Sequence, residues 1–322
     1  MPIPGDPSGT TRPSRHATRP SLLWRWFLQD KGPFATEPRT PCATSGPGPG
    51  RRCGVSVEGG ALYRTLLLEE EGGIFTLTLN QPQNRNALSY DMAEEFQEAI
   101  GEVAGREQAR VLILTGAGDA FCAGGDFHSI IAEFRRPAVE LQPMLRKFYS
   151  RFLCLRDLEI PTIAAVNGPA VGAGFSLALA CDMRIASSSA TFHANFVRIG
   201  VHPGMGATYF LPRLVGASRA LEILWKGETL SARDALALGL VGRVVEPGRL
   251  MEDALESARQ IGAMPPRAVE LIKRSVYMAA QSSLDEMLER ESQAQALCGE
   301  TREMQEAVRV FLGRSRGSRG GA

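Results

Sequence analysis

Two stretches decide how this sequence is read: Ala120-Phe121-Cys122-Ala123-Gly124-Gly125-Asp126 and Asn167-Gly168-Pro169-Ala170-Val171-Gly172-Ala173-Gly174. Each follows a short apolar run that reads as a buried strand, Val111–Thr115 before the first and Thr162–Val166 before the second. Each therefore places small residues where a strand ends and a helix begins. A helix start carries backbone N–H groups with no intrahelical partner, and a partial positive charge. Small residues let a ligand come close to that backbone. Two such turns side by side would aim two N–H donors at one oxygen, which is the arrangement of an oxyanion hole. The same glycines also serve tight strand–helix packing, so neither turn is decisive alone.

Working outward, the pattern is regular from Tyr63. Tyr63–Glu69 and Ile74–Asn80 read as two strands of a hairpin turning at Glu71-Gly72-Gly73. In the second strand Phe75, Leu77 and Leu79 alternate with Thr76 and Thr78, so one face is buried. Met92, Phe96, Ala99, Ile100 and Val103 recur at helical spacing up to Gly105. Ile130–Asp157 reads as largely helical, and Asp182–Ala186 as another strand. Ser231 and Asp234 form a capping box that opens a short helix closed by Gly239. From Leu250 the pattern is helical only, with amphipathic candidates at Ala268–Ala279, Leu284–Leu297 and Glu303–Leu312. Strands alternating with helices give an α/β class. The expected organisation is an α/β core over 61–249 and a helical region over 250–313.

The ends differ in composition. Ten of the 20 prolines fall between Pro2 and Pro49, so residues 1–60 read as a disordered Pro/Gly/Arg-rich extension. Arg12, Arg15, Arg19 and Arg25 keep an organelle transit peptide open, while proline density, Asp6 and Asp30 speak against one. A start codon assigned too early is a third reading. Residues 314–322 read as a flexible tail. The apolar fraction of 44% and charged fraction of 22% are those of an ordinary globular protein. A net charge of +1 gives no electrostatic case for nucleic acid or acidic membranes. The six cysteines show no paired C-x-x-C spacing, so neither a metal site nor a disulfide framework is expected. A reducing, cytoplasmic setting fits, and no apolar run reaches the ~18 residues of a membrane span.

Taken together and in order, the two turns and their surroundings resemble the crotonase superfamily, the enoyl-CoA hydratase/isomerase family. The resemblance runs from about Leu62 to Leu312. It includes Asn84–Leu88, Phe121–Asp126, Ile160–Gly168, Gly172–Gly174, Ala180–Ala186, Ile199–Thr208, Leu211–Gly216 and Ala235–Val241. It implies a crotonase-like spiral of β-β-α repeats with a C-terminal helical trimerisation region, assembled as a homotrimer or dimer of trimers. The ligand it implies is an acyl-CoA or acyl-carrier-protein thioester, with coenzyme A as part of the substrate and no other cofactor. By position, the two oxyanion-hole N–H groups fall on Gly125 and Ala173. Asn86, Ala87, Leu88, Gly124, Gly125 and Gly172 would line the path of the CoA thioester.

The chain departs from the family's hydratases where their acid and base stand. The G-G-G-x-E-L-A block reads Gly172-Ala173-Gly174-Phe175-Ser176-Leu177-Ala178, so Ser176 replaces one glutamate. The A-x-F-x-x-P-E block reads Ala190-Thr191-Phe192-His193-Ala194-Asn195-Phe196, so Phe196 replaces the other. A hydroxyl and a phenyl ring cannot run the usual acid–base pair. The Ala194–Thr208 run looks like crotonase-type decarboxylases of polyketide β-branching. Their lysine and C-terminal histidine have no counterpart here, since Arg135 and Arg136 stand near the former place and no histidine follows His202. The remaining candidates for proton handling are Ser176, His128 and His202, with His193 and Asp126 beside them; Asp126 also reads as a helix cap. Three readings stay open: an acyl-CoA lyase or isomerase with non-standard acid–base residues, a decarboxylase or isomerase on a CoA- or carrier-bound thioester, and a silent thioester-binding homologue.

Overall fold

The structure is a computed structural model and describes residues 63–317, with side chains to residue 310. The 1–60 extension expected from composition lies outside the described residues, as does the end of the 314–322 tail.

The chain enters through β1 (Leu66–Glu71) and β2 (Ile74–Leu79), an antiparallel hairpin in which Leu66 faces Leu79. Helix α1 (Tyr90–Ala104) follows; the Ser89 hydroxyl caps its first turn by accepting from the Met92 N–H. Strand β3 (Val111–Gly116) pairs parallel with β2. Helix α2 (Ala138–Leu153) leads to β4 (Thr162–Val166), parallel to β3. The two-residue strand β5 (Ala170–Val171) then runs into α3 (Ala173–Ala180) and β6 (Met183–Ser187). Beyond lie β7 (Thr191–His193), α4 (Ala207–Val215), α5 (Ala217–Lys226), β8 (Thr229–Ser231), α6 (Ala232–Ala237) and β9 (Arg243–Val245). Four helices close the described chain: α7 (Leu250–Gly262), α8 (Pro266–Ala279), α9 (Leu284–Gly299) and α10 (Arg302–Gly317). The last of these continues past the boundary expected at residue 313.

Six strands form one sheet in the order β1-β2-β3-β4-β6-β9, and β5-β7-β8 form a second of three strands. Strand alternation sorts the core into two sides of the large sheet. Leu112, Leu114, Ala164 and Val166 face the cluster that holds α1, α2 and α3 residues such as Phe96, Phe152 and Phe175. Val111, Ile113, Ile163 and Ala165 face the opposite side, where Leu250, Ala254 and Ala258 of α7 cover them. Parallel strands covered on both faces explain why β3 and β4 are apolar throughout. The α/β class and the helical C-terminal region hold.

This layering places the two glycine-rich turns. Both leave the C-terminal ends of adjacent parallel strands, β3 and β4, so both emerge at the same edge of the sheet.

Candidate active site

The first turn is held from below by a clasp. Asn86 is fully buried in the left-handed region (φ 57°). Its side-chain amide donates to the carbonyls of Ala117 (2.8 Å) and Ala120 (2.9 Å), and its oxygen accepts from the Gln81 N–H (2.9 Å). Leu88, also fully buried, forms a parallel bridge with Gly125: its N–H donates to Gly124 and its carbonyl accepts from Asp126. The expectation that Asn86 and Leu88 line a ligand path therefore needs correcting. Their side chains have no surface to offer a ligand; they fix turn one. Ala87 is 8% exposed and contributes little more than its backbone edge.

The second turn docks directly on the first. Cys122 bridges Ala170, and its carbonyl accepts from the Val171 N–H at 2.9 Å. A methyl on Gly174 would lie 2.5 Å from that carbonyl oxygen and 2.7 Å from Cys122 Sγ. A methyl on Gly124 would lie 2.8 Å from the Val171 carbonyl and 3.6 Å from the Ala173 nitrogen. Gly124 (φ 96°) and Gly172 (φ 52°, ψ −113°) both occupy conformations that side chains disfavour.

The consequence is a pair of donors. Ala173 is the first residue of α3, and its N–H has no hydrogen-bond partner among the described residues. The Gly125 N–H likewise has none, because the bridge to Leu88 uses the groups on either side of it. Turn one and turn two, docked on each other, thus carry one unpaired N–H group each, the Ala173 one at the N-terminus of a helix, where negative charge is favoured. Cys122, within this structure, is not a nucleophile: complete burial pushes its thiol up to about 12.

The other expected residues fall in different places. Ser176 is fully buried, one turn into α3, and its hydroxyl donates to the carbonyls of Gly172 (3.2 Å) and Gly204 (3.0 Å). Its proton is committed to the backbone, which corrects its reading as a proton carrier. Phe196 lies 8% exposed, with its ring edge 3.7 Å from where a Gly172 methyl would sit. His128 is exposed, and the structure gives its ring no hydrogen bond. Asp126 caps that segment, accepting from the His128 N–H (3.1 Å), the Ser129 N–H (2.8 Å) and the Ser129 hydroxyl (2.8 Å). His202 is also exposed, with Nδ1 2.8 Å from the Pro203 carbonyl beside it. Neither histidine is brought against the paired N–H groups by any contact in the structure. His193 sits between the hydroxyls of Thr191 (2.8 Å) and Thr229 (3.0 Å), and burial, then nearby Arg198, pushes its pKa down. Its role is carried by its carbonyl, which accepts from the Gly172 N–H at 2.9 Å and so anchors turn two. Lys273, a basic residue of α8, is tied to Asp182 (2.8 Å) and the Ile160 carbonyl (2.7 Å).

Two further side chains stand near the second turn, and nothing in the sequence pattern marks them. Tyr149 of α2 places its hydroxyl against Gly204: a methyl there would lie 2.6 Å from the phenol oxygen. Asn195 places Oδ1 3.3 Å from where a Gly172 methyl would sit. Tyr149 stood unremarked in a helical stretch, and Asn195 beside the more conspicuous loss of a glutamate at Phe196.

A family profile described as Enoyl-CoA hydratase/isomerase matches residues 69–318. The short-chain-enoyl-CoA hydratase of Clostridium acetobutylicum is 38% identical over 248 residues, 77% of this chain and 94% of that one. The 1,2-epoxyphenylacetyl-CoA isomerase of Escherichia coli is 36% identical over 248 residues, 77% of this chain and 95% of that one. The crystal structure of an enoyl-CoA hydratase from Bacillus anthracis matches with a TM-score of 0.73 at 33% identity, covering 78% of this chain and 97% of that one. A profile that spans both turns and relatives that share the whole folded region lead to one conclusion: this chain belongs to the enoyl-CoA hydratase/isomerase family.

Proposed function

We propose that the protein is an acyl-CoA lyase or isomerase that holds a thioester carbonyl between the Gly125 and Ala173 N–H groups and stabilises the enolate formed there. The observation that carries this is the pair of unpaired donors at the junction of the two turns. Both point from backbone that the clasp and the bridges hold rigid, so no reorganisation is needed as charge develops. Gly124 and Gly172, expected along the thioester's path, are buried, and the absence of a side chain on Gly124 lets the two turns close on each other. The chemistry at this hole proceeds without the usual glutamates, since Ser176 is committed to carbonyls and Phe196 has no proton. That same observation favours a second reading, decarboxylation of a CoA- or carrier-bound acid. Loss of CO2 leaves the electron pair on the α-carbon and generates the enolate with no base. The resemblance also supports assembly as a trimer or dimer of trimers through the C-terminal helices.

One substitution tests the hole without disturbing the fold. Ala173→Pro replaces that N–H by the ring Cδ, removing the donor and filling the place its hydrogen occupied, at the first position of a helix, where proline is well accommodated. Gly172, at ψ −113°, already lies outside the α region that a following proline disfavours. The variant is expected to melt close to the parent while turnover falls about 10²–10³-fold. Turnover is followed by mass with crotonyl-CoA, a 3-enoyl-CoA and a 3-methylglutaconyl thioester. Undiminished turnover in Ala173→Pro would refute the assignment of that donor. Hydration of crotonyl-CoA at ordinary hydratase rates would refute the claim that losing both glutamates is decisive.

A further inference from the structure

The polar groups around the missing glutamates sort into those that are spent and those that are not. Ser176 donates to Gly172 and Gly204, Asp126 caps its own turn, and Cys122 is sealed and protonated. Tyr90 has a buried hydroxyl with no partner, closed off from any ligand by its surroundings. Tyr149 and Asn195 are different. Both side chains are half-buried, neither makes a hydrogen bond among the described residues, and neither oxygen is sealed.

Their placement is specific. The Tyr149 hydroxyl stands against Gly204, and the Asn195 carboxamide stands against Gly172. The carbonyls of those same two glycines receive the Ser176 hydroxyl. The two free groups therefore flank Ser176, which lies one helical turn beyond the Ala173 N–H. Around them the lining is apolar: Phe196 beside Gly172, and Phe148 packed edge-on to Tyr149 at 6.2 Å.

We propose that Tyr149 and Asn195 form a polar subsite for an oxygen carried on the acyl chain itself, beyond the thioester carbonyl. The substrate class is a thioester whose acyl group bears a hydroxyl, keto or carboxyl oxygen near the reacting carbons. This rests on Gly125 and Ala173 holding the thioester oxygen, since that fixes where the acyl chain runs. The phenol is a donor, and burial raises its pKa above the ordinary value, which keeps the proton on it. The carboxamide both donates and accepts, so it can bond either a hydroxyl or a carbonyl oxygen on the acyl chain. Half-buried polar groups in an apolar wall favour a ligand that hydrogen-bonds to them over one that leaves them unpaired.

The test is calorimetric binding to the full-length protein, comparing butyryl-CoA with 3-hydroxybutyryl-CoA, acetoacetyl-CoA and malonyl-CoA. At least one oxygenated thioester is expected to bind about 10-fold or more tightly than butyryl-CoA, as one or two net hydrogen bonds allow. Tyr149→Phe removes an unpaired hydroxyl without changing shape, and Asn195→Ala removes the carboxamide. Each is expected to abolish most of that preference while leaving butyryl-CoA affinity within about 2-fold. The three oxygenated ligands identify which oxygen is read. A parent with no preference, or a preference that survives both substitutions, overturns the proposal. Failure of butyryl-CoA itself to bind would instead refute the underlying thioester assignment, and with it this subsite.

Discussion

Gly174 shows how closely the two turns are fitted. Its α-carbon faces Cys122 so tightly that a methyl group would meet the carbonyl oxygen at 2.5 Å, Cβ at 2.6 Å and Sγ at 2.7 Å. Two of those three are backbone or near-backbone atoms, so a rotamer change cannot relieve the clash. Gly174→Ala must therefore push α3 away from turn one. Overpacking of this kind costs about 1–3 kcal/mol. The movement also separates the Ala173 N–H from the Gly125 N–H, so thioester affinity should fall as well. A melt with and without CoA thioester measures both, and a variant with parental stability and affinity would show that the turns have slack. Gly172→Ala strains the backbone differently: its φ of 52° with ψ of −113° belongs to a region used almost only by glycine.

At the scale of elements, the clasp around Asn86 connects two segments, residues 81–86 and 117–120, that lie about thirty residues apart in sequence. Its amide reaches Ala117 and Ala120 while its oxygen holds Gln81, so one side chain ties the loop after β2 to the turn after β3. Asn86→Leu keeps the branching but leaves the Ala117 carbonyl and the Gln81 N–H without their partner, while Asn167 still donates to Ala120. Unsatisfied buried groups cost about 1–3 kcal/mol each. The expected result is a clear loss of denaturant stability together with weaker thioester binding, measured by chemical unfolding and calorimetry. Unchanged stability would mean that water replaces the clasp. This element also shows what was legible beforehand. β2, β3, β4 and α1 were readable because alternation and helical spacing follow from burying one face or two. The turns were readable because glycine is needed where backbones meet. Strands β5, β7 and β8 have two or three residues and no period to read; pairing with distant segments makes them strands. Helices α4 and α5 were likewise passed over within the quoted motifs. Asn86 read as a ligand contact because its buried partners lie far along the chain, and Tyr149 and Asn195 escaped notice because only folding sets them beside Ser176.

Over the whole molecule, the imbalance lies at the C-terminus. The core up to α7 buries its apolar side chains on both faces of the sheet, whereas α8 has no buried residue and α9 buries only Met287. Ile272 and Val276 are each 64% exposed and lie one turn apart on the same face of α8. Leu284 and Leu288, 77% and 54% exposed, repeat that spacing on α9. Fully burying an aliphatic side chain is worth about 1.5–3 kcal/mol, so these four alone give a strong drive to assemble. A surface of this kind on helices that extend beyond the core fits the proposed homotrimer, with copies of this chain supplying the cover. The double variant Ile272→Glu/Val276→Glu would place two charges on that surface without touching the core. It is expected to shift the protein from trimer or hexamer toward monomer by size-exclusion chromatography with light scattering. Its circular dichroism spectrum should stay close to the parent's, because neither residue is buried in the single chain. A parent that is monomeric at all concentrations would refute assembly, and a double variant that assembles as the parent does would place the interface elsewhere. If the variant is a folded monomer, its binding of butyryl-CoA then separates the two levels of organisation. Retained affinity means the thioester site is complete within one chain, as the positions of Gly125, Ala173 and their supports imply.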